Sequence, residues 1–102
     1  MTVQTVQALF DEIADWGEVT FSTSFDGSRL AHLKKEVAEL EAVPSSGEEM
    51  ADIVLILCHQ ARAHGVNLAE EIVRKFHLCK ERRWGAPDAN GIVEHLREVQ
   101  AR

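Results

Sequence analysis

Glu36-Val37-Ala38-Glu39-Leu40-Glu41-Ala42-Val43-Pro44-Ser45-Ser46-Gly47-Glu48-Glu49-Met50-Ala51-Asp52 is the stretch on which the reading of this chain turns. It holds two acidic pairs, Glu36-x-x-Glu39 and Glu49-x-x-Asp52, on either side of a Pro-Ser-Ser-Gly break. Residues three apart share one face of a helix, so each pair aims its two carboxylates in one direction. The break lets the two helical segments fold against each other. Carboxylates that converge between packed helices repel one another unless cations fill the gap. Hard divalent ions such as Mg²⁺ take oxygen ligands of this kind and share them with phosphates.

Helical spacing recurs on both sides of this stretch, and strand signals are nearly absent. A first helix is expected over Val3 to Trp16, with Val6, Leu9, Phe10 and Ile13 as its apolar stripe and Gly17 as its end. Thr20 to Ser28 reads as a loop carrying Phe21 and Phe25. The second helix is expected from Arg29 to Ala42, where Leu30, Leu33, Val37 and Leu40 form the stripe. Glu36 and Glu39 lie beside that stripe, and His32 shares their side. Ser45-x-x-Glu48 has the form of a capping box opening the third helix.

That third helix is apolar almost all round (Met50, Ile53, Val54, Leu55, Ile56, Leu57, Cys58), which predicts burial at a bundle centre or in a subunit interface. Glu49 and Asp52 would then be charges on a buried element, costly unless paired or bound to metal. Gly65 suits the helix end. Asn67-x-x-Glu70 opens a fourth helix that reaches about Arg83, and Gly85-Ala86-Pro87 stops it. Asp88 is expected to cap a short fifth helix with Ile92, Val93 and Leu96 on its inner side. The predicted architecture is a single all-α domain over residues 1–102, a four-helix core with a short C-terminal helix.

Composition excludes several functions. With 102 residues, 27% charged and 45% hydrophobic, the chain is globular and one domain long. A net charge of −6 with no basic block argues against a nucleic-acid polymer as partner. A small phosphorylated ligand is compatible, because a metal supplies the positive charge. The N-terminus lacks a basic start and an apolar run, and Ile53 to Cys58 is too short to cross a bilayer, so a cytoplasmic protein away from membranes is expected. Cys58 and Cys79 read as reduced thiols. Cys58 and His59 are adjacent and point differently, which disfavours zinc.

An E-x-x-E alone is common on solvated faces when 17 residues are acidic. Two such pairs on consecutive helices, one of them on an apolar helix, point instead to a metal. Glu48 is an alternative ligand, since it partly shares the face of Asp52; Glu41 projects away. On helix four, Glu71, Lys75, Cys79 and Arg82 form one stripe. Lys75 and Arg82 could hold phosphate oxygens, although Glu71 and Lys75 alone would make an ordinary surface pair. Of the five histidines, His32 is the one placed to orient a ligand or water. Trp16 and Trp84 suit core or interface positions as well as stacking on a base. No histidine has a glutamate three residues before it, so a di-iron carboxylate bundle is set aside. No P-loop, G-x-G-x-x-G or nucleophile elbow is present.

His32-Leu33-Lys34-Lys35-Glu36-Val37-Ala38-Glu39-Leu40 followed by Glu49-Met50-Ala51-Asp52 resembles the E-x-x-E…E-x-x-D signature of the MazG-like all-α nucleoside triphosphate pyrophosphohydrolases. Lys75, then Arg82-Arg83-Trp84-Gly85-Ala86-Pro87-Asp88 and Gly91-Ile92-Val93-Glu94-His95, is similar to the compact dATP/dGTP diphosphohydrolase subgroup, as is the short spacer between the acidic pairs. The resemblance covers Trp16 to the end. It implies cleavage of a (deoxy)nucleoside triphosphate to monophosphate and pyrophosphate, in nucleotide pool sanitation or adjustment. It implies Mg²⁺, with Mn²⁺ as a substitute, on Glu36, Glu39, Glu49 and Asp52, with Glu36 and Glu39 as catalytic residues. Lys75 and Arg82 are implied on the triphosphate; from the residues themselves, Cys79, His32 and Trp16 are further candidates for substrate contact. A homodimer or homotetramer is implied as well. Where the family commonly carries Asn, four residues after the lysine, this chain has Cys79. The competing reading is a non-enzymatic helical module that binds a nucleotide or a protein partner; turnover separates the two.

Overall fold

The structure, a computed structural model, describes residues 2–96. Among the described residues there are four α-helices: α1 (Val3–Thr20), α2 (Asp26–Ala42), α3 (Gly47–Ala63) and α4 (Leu68–Glu81). The chain divides into two compact units, Met1–Glu71 and Ile72–Arg102. None of these helices is long and apolar enough to cross a membrane.

In the first unit α3 packs against both α1 and α2. The short link between α2 and α3 makes them an antiparallel helical hairpin. Small residues set the closest approaches: Ala14 and Cys58 are 2% exposed, and Ala69 is 3% exposed. Burial pushes the Cys58 thiol pKa up, so it packs as a small apolar group. Arg62 of α3 reaches across to α1, where Nη1 donates to Asp15 Oδ1 at 2.7 Å and Nη2 to the Asp11 carbonyl at 3.2 Å. At the start of α4 the Ala69 N–H donates to Gln7 Oε1 at 3.0 Å, which satisfies a first-turn donor inside the fold.

Helix boundaries depart from the sequence reading where tertiary contacts outweigh local signals. Gly17 does not end α1; it is buried inside the helix. A Cβ there would come within 3.2 Å of His59 Nδ1, so the missing side chain lets α1 lie close to α3. α2 begins earlier than expected, at Asp26, and the Ser28 hydroxyl accepts the Phe25 N–H at 2.9 Å. α3 is capped by Ser46 and not Ser45: the Glu49 N–H donates to Ser46 Oγ at 3.2 Å. Asn67 caps α4 as expected, accepting the Glu70 N–H at 3.0 Å, and Gly65 takes a φ of 65° after α3.

Within the single chain α3 is not buried on all sides. Met50 (47% exposed), Val54 (41%) and Leu57 (38%) face outward. Among the described residues, the second unit has no fifth helix. Asp88 Oδ1 does accept two N–H groups, from Asn90 at 2.8 Å and Ile92 at 2.9 Å. Gly91, however, adopts a φ of 78°, which turns the chain instead of starting a helix. Trp84 and His95 then pair as an antiparallel bridge, with Gly85 N–H on the Glu94 carbonyl at 2.9 Å. The Asn90-Gly91 dipeptide was the sequence signal for this turn.

Ser46→Ala should lower stability to urea by about 1 kcal/mol, whereas Ser45→Ala should stay within about 0.5 kcal/mol of wild type. A larger loss for Ser45→Ala would contradict the cap.

Candidate active site and metal centre

The link after Val43 brings the end of α2 beside the start of α3. Glu36, Glu49 and Asp52 each place one carboxylate oxygen so that all lie within 4.8 Å of one another. Glu36 is 7% exposed although it is charged. Oε2 of Glu36 and Oε2 of Glu49 are buried with no hydrogen-bond partner. Buried carboxylate oxygens without donors are costly. A hard cation satisfies them, so the residues fit a divalent metal by their own chemistry.

The pKa shifts carry the same strain. Glu49 is pushed up to about 8, first by the facing Glu36, then by Glu39 and by burial. Glu36 is held below its ordinary value, chiefly by its contact with Glu49 and also by Glu39 and His32. The two facing carboxyl groups therefore do not both ionise in the ordinary carboxylate range. His32 Nε2 lies 3.1 Å from Glu36 Oε1, one helical turn before it.

A cleft of about 570 Å³ extends from this cluster between α1, α2 and α3. Glu36 and Asp52 line one end, and Arg29 and His59 line the other, because α2 and α3 run in opposite directions. Trp16, Phe21 and Phe25 contribute aromatic wall, with Trp16 and Phe21 packed edge to face at 5.4 Å. Burial, together with the nearby Arg29 cation, lowers the His59 pKa and favours its neutral ring.

Of the residues singled out in the sequence, Glu36, Glu49 and Asp52 form the cluster, and Trp16 and His32 line the cleft. Glu39 is exposed and flanks the cluster closely enough to shift both Glu36 and Glu49. Glu48 is exposed and outside the cluster. Lys75, Cys79 and Arg82 belong to the second unit. Lys75 is exposed there, the Cys79 carbonyl accepts Trp84 Nε1–H at 3.0 Å, and Arg82 Nη1 lies 3.5 Å from His95 Nδ1. Sequence reading missed Arg29, Gly17 and His59 as cleft residues. Counting back from Glu36 by four and then three reaches His32 and Arg29, which was the available signal.

The raised Glu49 pKa gives a pH dependence with a definite sign. The folded metal-free protein holds a proton that the unfolded chain releases above an ordinary value of 4.5. The resulting stability is complete below that value and is lost as pH rises through about 8. Between about pH 6.5 and about pH 8.5 the metal-free protein should lose thermal stability, Glu49→Gln should flatten the trend, and Mg²⁺ should stabilise wild type more at the higher pH. A wild-type slope unchanged by Glu49→Gln would contradict this assignment.

Comparison with known proteins is consistent with this geometry. Residues 9–102 match the family model for dATP/dGTP pyrophosphohydrolase. A dATP/dGTP diphosphohydrolase of Cyanophage S-2L is 31% identical over 94 residues, covering 90% of this chain and 89% of that protein. Another, of Salmonella phage PMBT28, is 31% identical over 96 residues, covering 93% of this chain, which spans 32% of that longer protein. Among solved structures, the Cyanophage S-2L MazG-like pyrophosphohydrolase, bound to dGDP and three catalytic Mn²⁺ ions per active site, superposes with a TM-score of 0.74 at 30% identity. The match covers 96% of this chain and 95% of that one. An all-α chain with a carboxylate cluster beside a cleft of about 570 Å³, matched over most of its length, belongs to the dATP/dGTP pyrophosphohydrolase family.

Proposed function

We propose that this chain hydrolyses dATP and dGTP between the α and β phosphates, releasing the monophosphate and pyrophosphate. The observation that carries the reading is the pair of buried, partnerless oxygens on Glu36 and Glu49 beside Asp52, at one end of a cleft of about 570 Å³. The dATP/dGTP diphosphohydrolases of Cyanophage S-2L and Salmonella phage PMBT28, and the dGDP and Mn²⁺ in the solved neighbour, support the same substrate class and metal chemistry.

Glu36, Glu49 and Asp52 would hold Mg²⁺ or Mn²⁺. When bound, the metal neutralises phosphate charge and lowers the pKa of water. The surrounding residues supply orientation and proton transfer. His32 fixes the Glu36 carboxylate through the 3.1 Å contact to Oε1. Glu39, outside the tight cluster but beside two of its members, is the carboxylate we assign to accept the proton of the attacking water. Trp16 offers its face or edge to the base within the cleft. Lys75 and Arg82 are assigned to the phosphate oxygens by resemblance to the family, Lys75 as a point charge and Arg82 as a fork.

A homo-oligomer completes the proposal. Met50, Val54 and Leu57, at helical spacing on α3, are each at least 38% exposed and leave an apolar helix face in water. Association of identical chains would cover it. The cellular setting we assign is cytoplasmic adjustment of purine deoxynucleotide pools.

Purified protein with Mg²⁺ or Mn²⁺ should release pyrophosphate from dATP and dGTP. Glu36→Gln and Glu39→Gln should each lower kcat by about 100-fold or more. Folded wild-type protein that releases no pyrophosphate from any deoxynucleoside triphosphate would overturn the reading. Mn²⁺ and dGDP binding without turnover would then favour a nucleotide-binding module.

A further inference from the structure

The end of the cleft opposite the carboxylates holds a buried cation to which the hydrolytic chemistry gives no task. Arg29, His32 and Glu36 follow one another on α2 at spacings of three and four, and all three line the cleft. The helical rise puts Arg29 roughly 10 Å along the axis from Glu36. That is about the span of a deoxynucleotide from its 5′ phosphate to the far edge of its base.

Arg29 is 9% exposed, and three side chains fix its guanidinium. Nε donates to Gln60 Oε1 at 2.7 Å, Nη1 to Ser24 Oγ at 3.0 Å and Nη2 to Asp26 Oδ1 at 2.9 Å. Asp26 is itself held by Gln60 Nε2 at 3.1 Å and His64 Nε2 at 2.8 Å, so the fork is braced from α2 and α3 together. A guanidinium carries five N–H donors. These contacts use one on each nitrogen and leave a second N–H on both Nη1 and Nη2. A cleft-lining cation held this firmly, with two N–H groups that these partners do not use, is suited to reading acceptor atoms on a planar ligand.

Resting on the hydrolase reading above, we infer that Arg29 is the base-reading residue of this site, its uncommitted N–H groups taking N7 of the purine. N7 is the major-groove acceptor that adenine and guanine share; guanine adds the O6 acceptor, whereas adenine presents an N6 donor. One donor on N7 therefore admits both purines, and the second favours guanine. Pyrimidines offer no N7.

The test compares dGTP with 7-deaza-dGTP, which lacks that single acceptor. Wild type should show kcat/KM about 10- to 100-fold lower on the 7-deaza analogue, the range of one hydrogen bond to a charged donor. Arg29→Met should treat the two nucleotides within about twofold of each other. Calorimetry of dGDP against 7-deaza-dGDP in Mn²⁺ reads the same ratio from Kd without turnover. If Arg29 only braces α2 to α3, Arg29→Met lowers both substrates alike and keeps the wild-type ratio, which overturns the inference. A wild-type ratio near one, in kcat/KM or in Kd, overturns it without any variant. A preserved Kd ratio in a protein that hydrolyses nothing would sustain the base contact and strike the hydrolase reading alone.

Discussion

Mutual repulsion among Glu36, Glu49 and Asp52 is the constraint around which the first unit is organised. Their oxygens lie within 4.8 Å of one another at the closed end of the α2–α3 hairpin, and two of them have no donor. A stable monomeric protein with no further task would replace such a cluster with apolar contacts, because unpaired buried charge destabilises it. Here the opposing contributions come from around the cluster: the Ser46 cap on α3, the small-residue approach of α1 at Ala14 and Gly17, and the Arg62 tie to α1. In the metal-free state the same crowding raises the Glu49 pKa and lowers that of Glu36.

The cleft follows from the same hairpin. Because α2 and α3 run in opposite directions, Arg29 lies at one end with His59, and Glu36 lies at the other with Asp52. One groove thus has an anionic end suited to metal and phosphate and a cationic, aromatic end suited to a flat polar ring. Gly17 contributes by absence, since a side chain there would press on His59 and narrow the groove.

Much of this was legible in the sequence, for physical reasons that differ between residues. The acidic pairs were readable because three-residue spacing in a helix maps directly onto a face. Asn67 and Gly65 were readable because caps are local chemistry. Gly17 misled, because its local preference for ending a helix yields to packing against His59, a contact between distant parts of the chain. Asp88 misled in the other direction: it makes cap-like bonds, yet Gly91 at φ 78° closes a turn instead. The all-round apolar character of α3 was plain in sequence, but one chain buries only part of it. Arg29 was hidden because its meaning lies in Ser24, Asp26 and Gln60, which the fold alone assembles.

Whether the carboxylate cluster is a divalent metal site can be read, independently of turnover, from Mn²⁺ binding followed by electron paramagnetic resonance. Wild type should bind Mn²⁺ saturably, and Glu49→Gln, which keeps the shape and removes the charge, should weaken that binding at least about tenfold. Identical Mn²⁺ isotherms for the two proteins would contradict it.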